Sequence, residues 1–273
     1  MLKNTLAFAR NLDHQDLLKK FRNEFLIPSF KKKPAIYFLG NSLGLQPKRT
    51  EKFITQELQD WADLGVEGHF SAKRPWLHYH TYTKKMLAKL AGAKPHEVVA
   101  MNHLTVNLHL MLVSFYNPTA KRHKIITEHG GFPSDQYALE SQIKFHGLDP
   151  EKVLIEVKPR QGEACLRLED IVSTIEAHGN ETALVFFSGL QYYTGQFFNL
   201  KKIAEAGHRV GAFVGFDLAH AIGNVPLHLH RDEVDFAVWC SYKYLNSGSG
   251  GIGGAYIHEK NSKRTDMNRF AGW

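Results

Sequence analysis

The sequence predicts an α/β fold built on a mostly parallel sheet with helices on both faces. From about residue 84, short apolar runs alternate with single amphipathic stretches, the pattern of strands joined by crossover helices. The runs are apolar without period-two alternation, which fits strands buried on both sides. Residues able to do chemistry recur just past the ends of these runs, where open α/β sheets bind their ligands.

Taken in order, Leu17, Leu18, Phe21 and Phe25 stand at helical spacing and predict an amphipathic helix over 12–26, ended by Pro28. A short apolar run at 35–39 closes on the turn signal Gly40-Asn41-Ser42-Leu43-Gly44. Pro47 is expected to open a helix reaching about residue 64, with Phe53, Ile54, Leu58 and Trp61 on one face. Gly65 and Gly68 break it, and a basic, aromatic loop runs from Gly68 to Trp76. Helices are then expected over 79–92, 104–116, 133–145, 168–177 and 200–210. Strands are expected over 97–101, 124–127, 153–157, 183–188, 212–216, 236–240 and 255–258, a seven-stranded sheet in all. There is no internal repeat and no low-complexity segment.

With 273 residues, 43% of them hydrophobic, the chain can bury a large core. The formal charge of +7 is spread over small clusters such as Lys31-Lys32-Lys33, Lys121-Arg122-His123-Lys124 and Lys201-Lys202. No aromatic RNA-binding signature interleaves with them, so they read as solvated surface and no nucleic-acid partner is expected. Two cysteines, Cys165 and Cys240, make no disulfide framework and point to a reducing compartment. The amino terminus lacks a secretory apolar region, and no run approaches the roughly 18 to 20 apolar residues of a membrane span. A soluble, cytoplasmic protein is the expectation.

Four places carry candidate chemistry. Asn102-His103-Leu104-Thr105 follows the first clear strand, where a hydroxyl and free N–H groups at a helix start can hold an anion; simple N-capping by Thr105 is the plainer reading. Gly131-Phe132-Pro133-Ser134-Asp135 follows the next strand, and Phe132 is either a core aromatic or a stacking platform. Asp217 ends a buried-looking strand, where a carboxylate needs a partner, and His220 lies three residues on. That pair suits an acid–base couple, half of a metal site, or a grip on a heterocycle's N–H. With 16 histidines, pairs such as His78-x-His80 and His228-x-His230 arise by chance, and no metal is expected.

Lys243 sits just past the apolar run 236–240, flanked by Tyr242 and Tyr244 and followed by a glycine-rich loop. A lysine there is solvated, paired or used chemically. An electron-sink cofactor needs a lysine for a Schiff base, an acid for its ring nitrogen, an aromatic cover and an anion pocket. Lys243, Asp217, Phe132 and Leu104-Thr105 supply that set. The stretch Gly248-Ser249-Gly250-Gly251-Ile252-Gly253 matches G-x-G-x-x-G but leads into a strand-like run instead of a helix, so a dinucleotide site is rejected.

Asp217-Leu218-Ala219-His220 and Ser241-Tyr242-Lys243-Tyr244 resemble the aspartate-aminotransferase-like (fold type I) pyridoxal phosphate enzymes of the class V branch. Longer stretches are similar to the kynureninases: 37–47, 104–109, 132–135, 215–221 and 239–246, so that the resemblance spans nearly the whole chain. It implies a fold type I large domain and pyridoxal 5'-phosphate as cofactor. It also implies hydrolysis of L-kynurenine or 3-hydroxy-L-kynurenine to anthranilate or 3-hydroxyanthranilate and L-alanine, in tryptophan catabolism and NAD biosynthesis. By the same resemblance Lys243 carries the cofactor and moves a proton, Asp217 pairs with the ring nitrogen and Phe132 stacks. The backbone at Leu104, Thr105 and Tyr242 takes the phosphate, Pro133 lies in the Phe132–Asp135 stretch, and Ser134, Asp135, Ser188 and His220 complete the cofactor shell. Tyr242 or His220 assists proton transfer, Ser42 and His69 line the substrate side, and Trp273 matches a tryptophan at the phosphate end.

The resemblance implies a homodimer and a division into a helical arm over 1–65 and a cofactor-binding domain over 66–273. Members of the family carry a C-terminal small domain that has no counterpart before Trp273, so the chain is expected to be a fragment, inactive by itself. Two alternatives remain: another class V enzyme, such as a desulfurase or an aminotransferase, which shares the lysine and aspartate, and an inactive protein that keeps the fold and could do without Lys243.

Overall fold

In the computed structural model, which describes residues 2–270, seven strands lie side by side. They are β1 (Val98–Ala100), β2 (Lys124–Glu128), β3 (Leu154–Val157), β4 (Thr182–Ser188), β5 (Phe213–Asp217), β6 (Phe236–Trp239) and β7 (Gly254–Ile257). Their order across the sheet is β1-β7-β6-β5-β4-β2-β3. β7 runs antiparallel to both its neighbours, and the pairings from β6 through to β3 are parallel. The sheet is therefore the mostly parallel, seven-stranded one expected.

Alternate residues of each strand feed opposite faces. On one face Ile126, Val185, Phe187, Val214, Phe216, Ala237 and Trp239 pack against helices α3 (Lys84–Ala91), α6 (Leu168–Ala177) and α7 (Leu200–Arg209). On the other, Ile125, Leu184, Phe186, Phe236 and Val238 pack against α4 (Leu104–Phe115) and α5 (Pro133–Phe145). This is why the strands read as unbroken apolar runs. In the middle, the Phe236 ring stacks on Phe115 at 4.7 Å and lies over Gly215 on the neighbouring strand. A Cβ at Gly215 would fall inside that ring.

The amino-terminal third departs from the sequence reading. The first helix, α1, is Leu6–Gln15, capped by Thr5, whose hydroxyl accepts from Phe8 N. It stops because the Asp16 carboxylate takes Leu18 N at 2.8 Å, a local turn that competes with helix, and only a 3-10 segment, Lys19–Glu24, follows. Pro47 does not open a helix: it pairs with Phe25 in a two-residue ladder, and α2 begins at Thr50 and ends at Leu64. The apolar face of α2 stays largely open among the described residues, with Phe53, Ile54, Leu58 and Trp61 all about half exposed or more. The helix expected over 79–92 is divided at Thr83 into a short turn, Tyr79–Tyr82, and α3. The loop 68–76 contains a helical turn, Gly68–Ser71.

Candidate functional site

The carboxyl ends of β2, β4, β5 and β6 converge on one buried group of side chains. β5 ends on Asp217, whose Oδ1 accepts Ala219 N at 2.7 Å, so the chain turns immediately and keeps the carboxyl at the sheet's edge. His220 follows in that turn. β6 ends at Trp239, and the next turn brings Lys243 back over the sheet, where its Nζ stands 2.8 Å from His220 Nε2. Lys243 and Asp217 are only 7% and 5% exposed, so the lysine is not the surface residue that lysines usually are. Phe132 caps the start of α5, and Lys243 Nζ lies 5.5 Å from the centroid of its ring.

Asp135, in the first turn of α5, lies close enough to Asp217 for the two carboxyls to share a proton. Burial pushes both above the usual carboxylate range, Asp135 well above it, and the Asp217 charge raises Asp135 further. Lys243 opposes both shifts. Among the described residues Asp135 Oδ1 has no hydrogen-bond partner although it is buried, which marks an unsatisfied polar group in the site. His220 is held down to about 4 by burial and then by the Lys243 charge, so it is neutral at physiological pH. Tyr242 is pushed up to about 12, chiefly by burial.

At the other end, α4 begins at Leu104 after the extended cap residue His103, which offers no side-chain bond to the helix. The first amides of such a helix have no partner within it, and its positive end attracts an anion. Thr105 Oγ1 lies 3.1 Å from Ser134 Oγ, so the starts of α4 and α5 meet there. The glycine-rich loop packs beside them, with Gly253 N donating to Asn102 O at 2.6 Å, and it runs into the antiparallel β7. That settles the rejected G-x-G-x-x-G match on structural grounds.

The segment 37–47 closes over the lysine turn. Gly44 N donates to Tyr242 O at 2.8 Å and Asn246 Nδ2 to Leu45 O at 2.9 Å. Ser42 sits exposed in the turn of this segment, its amide bonded to Leu39 O. His69 is not brought to this group: its ring packs edge-on against Trp76 at 5.5 Å. That loop is instead tied by Glu57, which takes Arg74, Trp76 and Tyr79. Trp273 lies outside the described residues.

Three residues of the site escaped sequence reading. Glu128 ends β2 as Asp217 ends β5, and takes both Ser188 N and Ser188 Oγ. The rule that singled out Asp217 would have found it. Tyr192 stands edge-on to Phe132 at 5.2 Å, and Gln191 ties its loop to Gly130 O. Both lie in a loop whose sequence carries no comparable signal.

The set fits pyridoxal 5'-phosphate: a buried amine, an acid beside it with an orphaned neighbour, an aromatic face and a helix start for the phosphate. Glu97, His230 and His258 also lie together, with the composition of a metal site. Their geometry argues otherwise. The two imidazoles stack at 4.8 Å and 16°, so their in-plane lone pairs do not converge. Glu97 already accepts Lys94 N, Glu259 N and His230 Nδ1.

The kynureninase of Flavobacterium psychrophilum is 56% identical to this chain over 273 residues, and that of Myxococcus xanthus 54% over 274. Each match covers all of this chain and 64% of the relative. The Rattus norvegicus kynureninase is 53% identical over 97% of this chain and 60% of its own length. This chain thus spans somewhat under two thirds of the curated relatives it matches. Among solved structures, the cystine C-S lyase C-DES in complex with its product cysteine persulfide superposes with a TM-score of 0.70 at 20% identity, over 82% of this chain and 57% of that one. Apo cysteine desulfurase from Thermococcus onnurineus gives 0.64 at 20% identity, over 90% and 57%. These two show the fold alone. The class-V aminotransferase family model matches residues 36–272, and on that match the chain belongs to the class-V aminotransferase family.

Proposed function

We propose that this protein acts as a kynureninase, hydrolysing L-kynurenine or 3-hydroxy-L-kynurenine to anthranilate or its 3-hydroxy form and L-alanine. The observation that carries the reading is the buried Lys243 amine, 2.8 Å from His220 Nε2 and set over the Phe132 ring beside Asp217. The identity to curated kynureninases, above 50% along the whole chain, supports the substrate.

Bound at this place, pyridoxal phosphate supplies an electron sink for the pair left when a substrate bond breaks. The residues do the rest. Lys243 Nζ would hold the cofactor and would move a proton at the substrate's α-carbon. Neutral His220, or the Tyr242 hydroxyl, would take or return a proton beside it. The Asp217 carboxylate would pair with the ring nitrogen, and Phe132 would cover the ring. The amides of Leu104 and Thr105, the Tyr242 backbone and Ser134 take the phosphate, while Asp135 and Ser188 complete the shell. Ser42 and His69 serve the substrate side, which requires the 68–76 loop to approach the lysine turn. Residues 1–65 act as an arm and the rest as the cofactor domain. A cytoplasmic homodimer is part of the same reading, supported by the bare apolar face of α2.

Titrating the chain with pyridoxal phosphate tests the cofactor: a visible absorbance band should appear and be absent in Lys243→Ala. A chain without the band, or a variant that keeps it, would sink the reading. In a version of the relatives' full length, release of alanine from kynurenine, and none from cysteine with sulfide formation, separates this activity from a desulfurase.

A further inference from the structure

Glu128 is the buried acid for which the proposed function has no use. It ends β2, is 2% exposed, and forms no ion pair among the described residues, its side-chain bonds going to Ser188. Ser188 N lies 2.9 Å from Oε2 and Ser188 Oγ 2.5 Å from Oε1. Ser188 in turn pairs across the strands with Asp217. The charged groups around it are acidic in balance: Asp217 on β5, Asp135 on α5, and Lys243, whose amine is bonded to His220. On the β3 side His129 and Glu156 pair with each other at 3.0 Å, and Gln136 is neutral.

We propose that Glu128 carries a proton in the folded chain and is a positioning residue, donating that proton to Ser188 Oγ while its other oxygen accepts Ser188 N. Ser188 Oγ is then an acceptor toward Glu128, and its own hydrogen is presented to the ring-nitrogen end of the site, beside Asp217. An ionised Glu128 reverses the bond: Ser188 must donate to it, and the hydroxyl hydrogen is lost to the site. Three ionised carboxyls around one ammonium in the interior would be far costlier than one. Burial raises Glu128 to about 7, the Asp217 charge adding to it and Ser188 opposing, which agrees with the geometry. The inference rests on the cofactor reading only for what the hydroxyl serves, not for where the proton is.

Glutamine reproduces the bonding of a neutral glutamate, its carbonyl accepting from Ser188 N and its amide donating to Ser188 Oγ. The test therefore compares Glu128→Gln, Glu128→Ala and Ser188→Ala with wild type. Thermal midpoints of the cofactor-free chains are followed by circular dichroism from pH 5 to 8.5. A raised folded pKa gives stability present below pH 4.5 and lost as pH rises through about 7. Wild type should show that fall, E128Q should flatten it, and S188A, lacking one donor to the charged form, should move it to higher pH. E128Q should bind pyridoxal phosphate within about threefold of wild type, and E128A about tenfold more weakly. An unchanged slope in E128Q, or E128Q as damaged as E128A at pH 6, overturns the proposal. If wild type binds no pyridoxal phosphate yet the pH profiles behave as stated, the cofactor reading falls and the proton on Glu128 stands.

Discussion

Replacing Gly44 by alanine tests whether the segment 37–47 is part of the site. The new Cβ would overlap the Lys243 carbonyl oxygen and the Asn246 amide, with Asn246 Cγ at 2.9 Å. Backbone cannot yield as a flexible side chain can, so the segment must lift. It then loses the Gly44 N–Tyr242 O and Asn246 Nδ2–Leu45 O bonds. At about 1 kcal/mol each, the docked state is weakened by about 2 kcal/mol, or about 30-fold. Hydrogen exchange measures this directly. The Gly44 amide should exchange about 30-fold faster in Gly44→Ala, while amides at the centre of β4 and β5 keep their rates. Pyridoxal phosphate affinity should fall with it, because the turn that carries Lys243 loses its cover. Unchanged protection at Gly44, or a loss spread evenly over the sheet, would refute the docking argument.

Three further outcomes are expected. Lys243→Met should raise the His220 pKa from about 4, though not to 6.5 because burial remains; histidine NMR titration reads it, and an unmoved value would show that the lysine does not face the ring. Because His220 is depressed, its contribution to stability is present above pH 6.5 and lost as pH falls toward 4, so acid unfolding of Lys243→Met should be shallower than wild type in that window. Asp217→Asn keeps the bond from Ala219 N and should leave the thermal midpoint of the cofactor-free chain unharmed at pH 7, while cofactor dissociation quickens tenfold or more; equal dissociation would remove the ring-nitrogen role. Gly215→Ala pushes a methyl into the Phe236 ring and should lower stability by about 1–3 kcal/mol in urea unfolding; a neutral result would contradict the packing at the sheet's centre.

The large α/β body was legible because its signals are redundant. The helix expected over 133–145 is α5 to the residue, bounded by Pro133 and His146, and the one over 168–177 is α6. Strands buried on both faces announce themselves by composition. Of the first 80 residues only α2 was legible, its end at Leu64 before Gly65 falling where expected; elsewhere the apolar residues do not report burial, and Leu17, Leu18, Phe53 and Trp61 are at helical spacing yet exposed. One side-chain bond, Asp16 to Leu18 N, ended the first helix where periodicity would have continued it. In the site, Asp217 and Lys243 were visible as charged residues at the ends of apolar runs. Glu128 stands just past the run 124–127 as Asp217 stands just past 212–216, and the same rule applied there would have found it. His69 was named for the substrate side by resemblance alone; in this structure its ring packs edge-on against Trp76.

Charge explains why these residues belong together. Among the described residues, the end of the sheet holds three buried carboxyls, Glu128, Asp135 and Asp217, against the amine of Lys243, in an interior that penalises each charge. Such an arrangement is poor as a device for stability: replacing buried ion pairs by apolar groups is often neutral or favourable. Nor is it satisfied by its own parts, since among the described residues Asp135 Oδ1 has no hydrogen-bond partner. It becomes reasonable once two of the acids stay neutral and a cationic group lies against Asp217. A protonated ring nitrogen is such a group, and Phe132 provides the flat face that a ring requires. The acids then divide by position: Asp217, tied by Ala219 N, is the one suited to ionise, while Glu128 and Asp135 act as neutral donors that orient it and Ser188.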